Sequence, residues 1–187
     1  MIETLDREAA WALVCENVKS EGLRKHALAV ETVMRAYARK YGGDEERWGI
    51  AGLLHDYDWE IHPTAEEHPE LGCRRLEELG YPADIVRAIR GHATYLNVPR
   101  DTPMAKALFA CDELTGFITA VAYVRPNKTI REVTVDAVKK KLKDKRFAAS
   151  VNRDEVHLAA EELGVPLDEH IAFLIEALTE NAEALGL

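Results

Sequence analysis

Apolar residues recur along most of the chain three or four positions apart, which is the spacing of amphipathic α-helices. The clearest case begins at Leu23 and ends at Gly42 and Gly43, a common signal for a helix C-terminus. The same spacing predicts a helix from Leu5 to Val18 before it and another from Asp44 to His55 after it. The N-terminal part of the chain is therefore predicted to be helical.

Residues 56–69 interrupt this pattern, because they are polar and contain several turn signals. Thr64 and Glu67 have the spacing of a capping box, so we expect them to begin the next helix. Thr102 followed by Pro103 predicts another helix start, a cap residue and then a proline in the first turn. Further helices are predicted over residues 64–79, 82–92, 103–125, 152–163 and 166–185.

No segment shows the apolar–polar alternation of a β-strand over more than four or five residues, so the predicted fold class is all-α. Residues 1–126 are expected to form the main domain, and residues 127–187 a C-terminal helical extension packed on it. Within that extension, Val138–Arg146 places six basic residues in nine positions. We interpret this segment as a solvated helix face, with a phosphate-attracting rim as the alternative.

The composition narrows the range of partners. The chain has 187 residues, with 24 Lys and Arg against 33 Asp and Glu, a formal charge of −9. This acidic balance argues against binding a nucleic-acid duplex or an anionic membrane surface, since both need a basic face. The three cysteines form no C-x-x-C pair, the first residues do not resemble a signal peptide, and no apolar run is long enough for a membrane span. We therefore expect a cytoplasmic protein.

The positions of the histidines and of two aspartates are the most informative feature. His26 and Asp112 fall on apolar helix stripes, and His55 with Asp56 follows the apolar end of a helix. A carboxylate on an apolar stripe is costly unless it is paired or coordinated. Imidazoles with a few carboxylates suit Fe, Mn, Zn, Co or Ni better than Mg or Ca. A carboxylate can also bridge two ions, and two ions about 3.5–4 Å apart can hold a phosphoryl group.

The order His26, then His55-Asp56, then Asp112 resembles the H…HD…D pattern of the HD-domain metal-dependent phosphohydrolase superfamily. The local strings RKHALAVETVMRAYARKYG, AGLLHDYDWE, AIRGHA and FACDEL strengthen this resemblance. His68 and His92 are similar to the additional ligands of the subgroup with six ligands and two metals. That subgroup includes dinucleoside-tetraphosphate hydrolases of the HD type, and the C-terminal part resembles uncharacterised predicted HD hydrolases.

The resemblance implies an HD-domain helical bundle and a set of metal ligands. A first ion would be bound by His26, His55, Asp56 and Asp112. Asp56 would bridge to a second ion that His68 and His92 complete, with His55 and Asp56 at the catalytic centre. The cofactor would therefore be a pair of divalent transition-metal ions.

These observations predict a metal-dependent phosphohydrolase that cleaves a phosphate ester or anhydride of a small substrate, best a nucleotide. A non-catalytic nucleotide- or metal-sensing domain and a mononuclear nucleotidase are the alternatives. Residues that could contact the phosphate are His62, Arg87, Arg90 and Lys106. Trp59 is interpreted as a core residue, with a stacking platform as the alternative because it lies close to His55 and Asp56. The exposed faces of the C-terminal helices leave room for a homodimer.

Overall fold

The computed structural model describes residues 6–187, and within that range the chain forms helices and turns without a β-strand. The all-α prediction is confirmed. The helices are α1 (Arg7–Asn17), α2 (Glu21–Tyr41), α3 (Glu45–Leu54), α4 (Glu70–Glu78), α5 (Ala83–His92), α6 (Pro103–Tyr123), α7 (Val135–Leu142), α8 (Arg153–Leu163), α9 (Leu167–Glu180) and α10 (Ala182–Leu185). Two short 3-10 helices cover Thr94–Leu96 and Ile130–Glu132. Leu5, the predicted start of the first helix, lies outside the described residues.

Several helices begin and end where the sequence predicts, because side-chain caps fix their ends. The Asp44 carboxylate accepts hydrogen bonds from the backbone N–H groups of the first turn of α3. The Thr102 hydroxyl accepts one from Ala105 at the start of α6. At the end of α2, Gly42 adopts a left-handed conformation, with φ of 68°, which glycine reaches without steric cost.

The predicted capping box at Thr64 and Glu67 is wrong. The Thr64 hydroxyl does lie 3.3 Å from the Glu67 carboxylate, but the pair belongs to a turn. In that turn the Thr64 carbonyl accepts hydrogen bonds from the N–H groups of both Glu67 and His68. Helix α4 begins only at Glu70, so His68 lies in the turns before the helix and not within it.

The single C-terminal helix predicted over residues 166–185 is also interrupted. It divides at Asn181 into α9 and α10. The Asn181 amide donates to the carbonyl of Ala177, and a side chain that bonds to the backbone in this way competes with helix continuation.

The described chain divides into two compact units, and the first ends at Phe109. In this unit α2 packs along α3, α1 and α5 also contact α3, and α4 packs on α5. At Gly52 the two central helices approach so closely that a Cβ atom would lie 2.9 Å from the carbonyl oxygen of Val30. The core here includes the fully buried Met34, Tyr37 and Ile50.

The second unit runs from Ala110 to Leu187. In it α9 contacts α7, α8 and α10, and the ring of Phe117 packs edge-on against Phe147. His170 is fully buried, and its Nε2 atom lies 2.8 Å from the carbonyl oxygen of Ala110. The division into domains of residues 1–126 and 127–187 stays a prediction. Among residues 6–187, no helix is both long and apolar enough to cross a membrane.

Candidate metal centre

The end of α3 brings two of the predicted ligands beside a third from α2. His55 follows the last residue of α3, Asp56 begins the turns after it, and His26 lies near the start of α2. Each of the three offers a ligand atom, and these atoms lie within 4.8 Å of one another. The His26 and His55 rings meet edge to face, with centroids 5.2 Å apart. The packing of α2 along α3 therefore forms a cluster that could hold a metal ion.

A second cluster shares Asp56 with the first. His68 from the turns before α4 and His92 from the last position of α5 bring their Nε2 atoms to 3.3 and 3.4 Å from Asp56 Oδ1. Both histidines are buried, and their ring centroids lie 5.3 Å apart. These three residues also offer ligand atoms within 4.8 Å of one another.

The two oxygens of Asp56 face different histidines. Oδ2 lies 3.4 Å from His55 Nε2, whereas Oδ1 is the oxygen near His68 and His92. A carboxylate with one oxygen in each cluster has the geometry needed to bridge two ions. This division of contacts is what the two-metal arrangement requires of its shared ligand.

Main-chain carbonyls fix the rings of two of these histidines. His55 Nδ1 lies 2.7 Å from the Gly52 carbonyl oxygen, and His92 Nδ1 lies 2.5 Å from that of Ile89. Each carbonyl belongs to the residue three positions earlier, near the end of its helix. When Nδ1 donates to such an oxygen, the lone pair of a neutral imidazole is on Nε2, the atom directed at Asp56.

The ring of His68 is held by the carboxylate of Asp58 instead, and Asp58 was not among the predicted site residues. His68 Nδ1 lies 2.8 Å from Asp58 Oδ1, and Asp58 Oδ2 accepts a hydrogen bond from the N–H of Gly72 at 3.1 Å. The Asp58 side chain is only 1% exposed. Gly72 permits this contact, because a Cβ atom there would lie 2.4 Å from the Asp58 carboxyl carbon. Asp58 thus orients a ligand from outside the cluster.

Another carboxylate fixes the turns that carry Asp56 and Asp58. The oxygens of Glu60 accept hydrogen bonds from the backbone N–H groups of Lys19 and Ser20, each at 2.7 Å. These two bonds lower the pKa of Glu60. They attach the turns after α3 to the connection between α1 and α2.

The carboxylates and histidines of the centre favour each other's charged forms, so a bound ion would have to displace a proton from His68. Burial acts to raise the pKa of Asp56, but the charge of His55 and hydrogen bonds with His55, His68 and His92 outweigh it and hold that pKa well below its usual range. Burial acts to lower the pKa of His68, but hydrogen bonds with Asp56 and Asp58 raise it to about 9. Asp56 is therefore ionised at neutral pH, as a metal ligand must be.

Asp112, the last predicted ligand, lies on α6 within the second unit. Its side chain is half-buried, and it follows the fully buried Cys111. Its assignment as a metal ligand stays a prediction.

Two of the predicted phosphate contacts pair with carboxylates. Arg87 donates to Asp101 at 2.7 Å on the protein surface. Arg90 donates to Glu70 at 2.8 Å and to Glu77 at 2.6 Å. Their positive charges are therefore offset locally.

The other two predicted phosphate contacts, His62 and Lys106, lie in a surface cavity and on α6. His62 lines a cavity of about 130 Å³ together with Asp58 and Arg75. Lys106 is half-buried near the start of α6.

The donor set suits a divalent transition metal. His55 and His92 present neutral-imidazole geometry at Nε2, Asp56 presents both oxygens, and the polar groups behind the rings are themselves hydrogen-bonded. Nitrogen-rich sets of this kind match Fe, Mn, Zn, Co or Ni, whereas Ca and Mg prefer oxygen ligands.

Comparisons with known proteins agree with this geometry. A family profile described as HD domain matches residues 23–116. Ribonuclease Y from Oleidesulfovibrio alaskensis is 31% identical over 98 residues, which make up 52% of this chain and 18% of that protein. The chain thus spans about a fifth of the length of this curated relative. No solved structure gives a significant match.

The profile covers half of the chain, and every residue of the two clusters lies inside the matched range. The all-helical fold agrees with it as well. On this evidence the chain belongs to the HD-domain family, whose members are generally metal-dependent hydrolases.

Proposed function

We propose that this chain is a metal-dependent phosphohydrolase that cleaves a phosphate ester or anhydride of a small substrate, best a nucleotide. The observation that carries the proposal is the division of the Asp56 contacts, with Oδ2 toward His55 and Oδ1 toward His68 and His92. Membership of the HD-domain family supports the reaction class. The relative named ribonuclease Y supports a substrate with nucleotide chemistry.

Two ions would be held by six residues in this proposal. His26, His55, Asp56 and Asp112 would bind the first, and Asp56, His68 and His92 the second. Asp112 is included because it follows the family pattern and lies inside the matched range. Bound divalent ions supply activation of water and neutralise the charge on the phosphoryl oxygens.

The protein's own residues prepare the centre for such a substrate. His55 and Asp56, which we propose as the catalytic pair, are held by the Gly52 carbonyl and by the surrounding histidines. The buried Asp58 keeps His68 in one orientation, so the cluster needs little rearrangement. An acidic protein that holds a phosphate also needs a local source of positive charge, and a metal centre supplies one.

The four side chains proposed to contact the phosphate differ in whether a carboxylate already binds them. Arg87 and Arg90 would have to exchange a carboxylate for the phosphate. Lys106 and His62 have no ion pair with a carboxylate among the described residues, and His62 shares its cavity with Arg75. We therefore propose His62 and Lys106 ahead of the two arginines. A homodimer stays a prediction.

The decisive test is metal content combined with turnover. Protein purified without chelator and under low oxygen should contain about two transition-metal ions per chain. It should release phosphate from at least one member of a nucleotide panel supplemented with Mn, Fe, Co or Ni. Asp56→Ala should lose metal and turnover together, whereas Asp84→Ala, which alters a surface partner of Arg47, should retain both.

Other outcomes would favour the alternatives. One ion per chain with turnover would indicate a mononuclear nucleotidase. No turnover, combined with a nucleotide-induced rise in melting temperature, would indicate a sensing domain. Normal turnover by Asp56→Ala would contradict the proposal outright.

A further inference from the structure

Two aromatic side chains next to the second cluster are exposed. Trp59 is 39% exposed and Tyr95 is 46% exposed, whereas Trp48 is only 7% exposed. The prediction that Trp59 belongs to the core is therefore wrong. A single exposed aromatic side chain is ordinary on a protein surface, so what distinguishes these two is their position beside the polar centre.

Both aromatic residues contact the same metal-ligand candidate. The Trp59 and His68 rings meet edge to face, with centroids 4.9 Å apart. The Tyr95 hydroxyl donates to the His68 carbonyl oxygen at 2.7 Å. His68 in turn places its Nε2 atom 3.3 Å from Asp56 Oδ1. Exposed aromatic surface thus lies one residue away from the atoms that would bind the second ion.

We propose that Trp59, together with Tyr95, forms a stacking platform for the base of a nucleotide whose phosphate lies at the metal centre. This inference rests on the proposed function and assigns its substrate class, since a simple phosphate ester has no ring to stack. Every nucleobase has a π-face, so the platform favours nucleotides as a class without selecting one base.

Exposure alone does not make an aromatic residue a platform, and Tyr41 provides the comparison. It is 41% exposed, but its ring stacks on Tyr37 and lies near Trp48, among residues of the helical core. Trp59 and Tyr95 differ because both contact His68, a residue of the candidate site. Tyr41→Ala is therefore the matched control.

The test compares ATP with inorganic tripolyphosphate, which carries a similar phosphate chain without a base. In Trp59→Ala, kcat/KM for ATP should fall about 5- to 100-fold, mainly through KM, because one stacked base contributes roughly this factor. The kcat/KM for tripolyphosphate should stay within about twofold. Trp59→Phe should retain most of the activity on ATP, and Tyr41→Ala all of it.

A binding measurement without turnover makes the test independent of catalysis. AMP, supplied as its non-hydrolysable 5′-phosphonate to the metal-loaded protein, should quench tryptophan emission. Trp59→Phe should lose the quenching but still bind AMP in calorimetry, and Trp59→Ala should lose both. Metal content should be unchanged in every variant.

The outcomes separate the two proposals. If the wild-type protein hydrolyses no member of the nucleotide panel but shows AMP binding that depends on Trp59, the hydrolase proposal fails and the platform stands. If Trp59→Ala loses activity on ATP and tripolyphosphate equally, or loses metal, Trp59 merely supports His68 and the platform is overturned. Unchanged binding of AMP to Trp59→Ala would overturn it as well.

Discussion

Asp58 Oδ1 lies 2.8 Å from His68 Nδ1, while the other nitrogen of the same ring lies 3.3 Å from Asp56 Oδ1. The imidazole is thus held between two carboxylates, one outside the cluster and one within it. A carboxylate behind a ligating histidine fixes the ring and raises its basicity. The proposed second metal position would therefore depend on a residue that contributes no ligand atom to either cluster.

Replacing Asp58 should weaken the second metal position selectively. In Asp58→Asn the side-chain size is kept, but the negative charge that supports His68 is lost. We expect affinity for the second ion to fall by about 10- to 100-fold, with the first ion retained. Metal titration followed by calorimetry measures both affinities. Asp84→Asn removes a surface carboxylate of the same type and should change neither; equal weakening of both ions in Asp58→Asn would contradict the assignment.

Gly72→Ala should reproduce this effect by a steric route. A methyl group at position 72 would lie 2.4 Å from the Asp58 carboxyl carbon, so the carboxylate must shift away from the Gly72 N–H. We expect weaker binding of the second ion and a loss of about 1–3 kcal/mol in the free energy of unfolding.

Gly22→Ala is the matched control for this substitution. Gly22 lies in the first turn of α2, where a Cβ atom would meet only the Ser20 hydroxyl at 3.6 Å. This variant should be unchanged or stabilised by up to about 1 kcal/mol, with full metal binding. If both variants bind two ions like the wild type, Asp58 tolerates displacement and its proposed role is wrong.

The stability of the metal-free protein should decrease as the pH rises from 6.5 to above 9. The pKa of His68 is raised from an ordinary value of 6.5 to about 9, since Asp56 and Asp58 offset the effect of burial. The protonated ring therefore stabilises the folded state fully below pH 6.5, and this contribution disappears as the pH passes through about 9.

The difference between wild type and His68→Gln isolates that contribution. Urea denaturation at pH 6.5 and pH 9.5 should show the wild-type advantage shrinking by on the order of 2 kcal/mol. Removing metal with a chelator beforehand is essential, because a bound ion would keep the ring neutral. Parallel pH profiles for the two proteins would show that His68 does not titrate in this range.

A separate ionic network should matter for stability without affecting the metals. Glu31 is 4% exposed, and its carboxylate accepts hydrogen bonds from Arg7 at 2.6 and 2.8 Å and from Arg35 at 3.0 Å. Glu31→Gln would remove the buried counter-charge that Arg7 and Arg35 share, leaving Arg35 with Glu46 at 3.0 Å and Arg7 with the exposed Glu8 at 3.7 Å. We expect a loss of about 2 kcal/mol in the free energy of unfolding.

The exposed pair of Glu21 and Lys25 offers the control for this network. Glu21→Gln should cost at most about 0.5 kcal/mol, because exposed i,i+4 pairs contribute little. Both variants should bind metal like the wild type. A Glu31→Gln protein of wild-type stability in urea would mean that the buried network is energetically neutral.

Local sequence signals predict the helices well, because caps and periodicity act over a few residues. Asp44 and Thr102 cap helices where expected. Thr64 and Glu67 show the limit of such signals: their spacing matches a capping box, but the backbone around His68 forms turns instead. Pro69 is the local signal against a helix from Thr64, because a proline disfavours helical geometry in the residue before it.

The resemblance to a family anticipated the clustered histidines of the first unit, but it could not supply the residues behind them. Asp58 contacts both His68 and the backbone of Gly72, ten and fourteen residues later in the chain. Asp58 is visible in the string HDYDWE, two residues after Asp56. Its role depends on its burial, which the sequence alone does not show. The exposure of Trp59 was unpredictable for the same reason.

The hydrogen bonds from His55 and His92 to the carbonyls three residues earlier link helix fraying to metal binding. The last turn of a helix leaves carbonyl groups without partners within the helix. Here two of them accept from the rings of His55 and His92, so opening the end of α3 or α5 would also displace a candidate ligand. A bound ion should therefore slow amide hydrogen exchange in the final turns of these two helices, far more than at the end of α1, which carries no ligand.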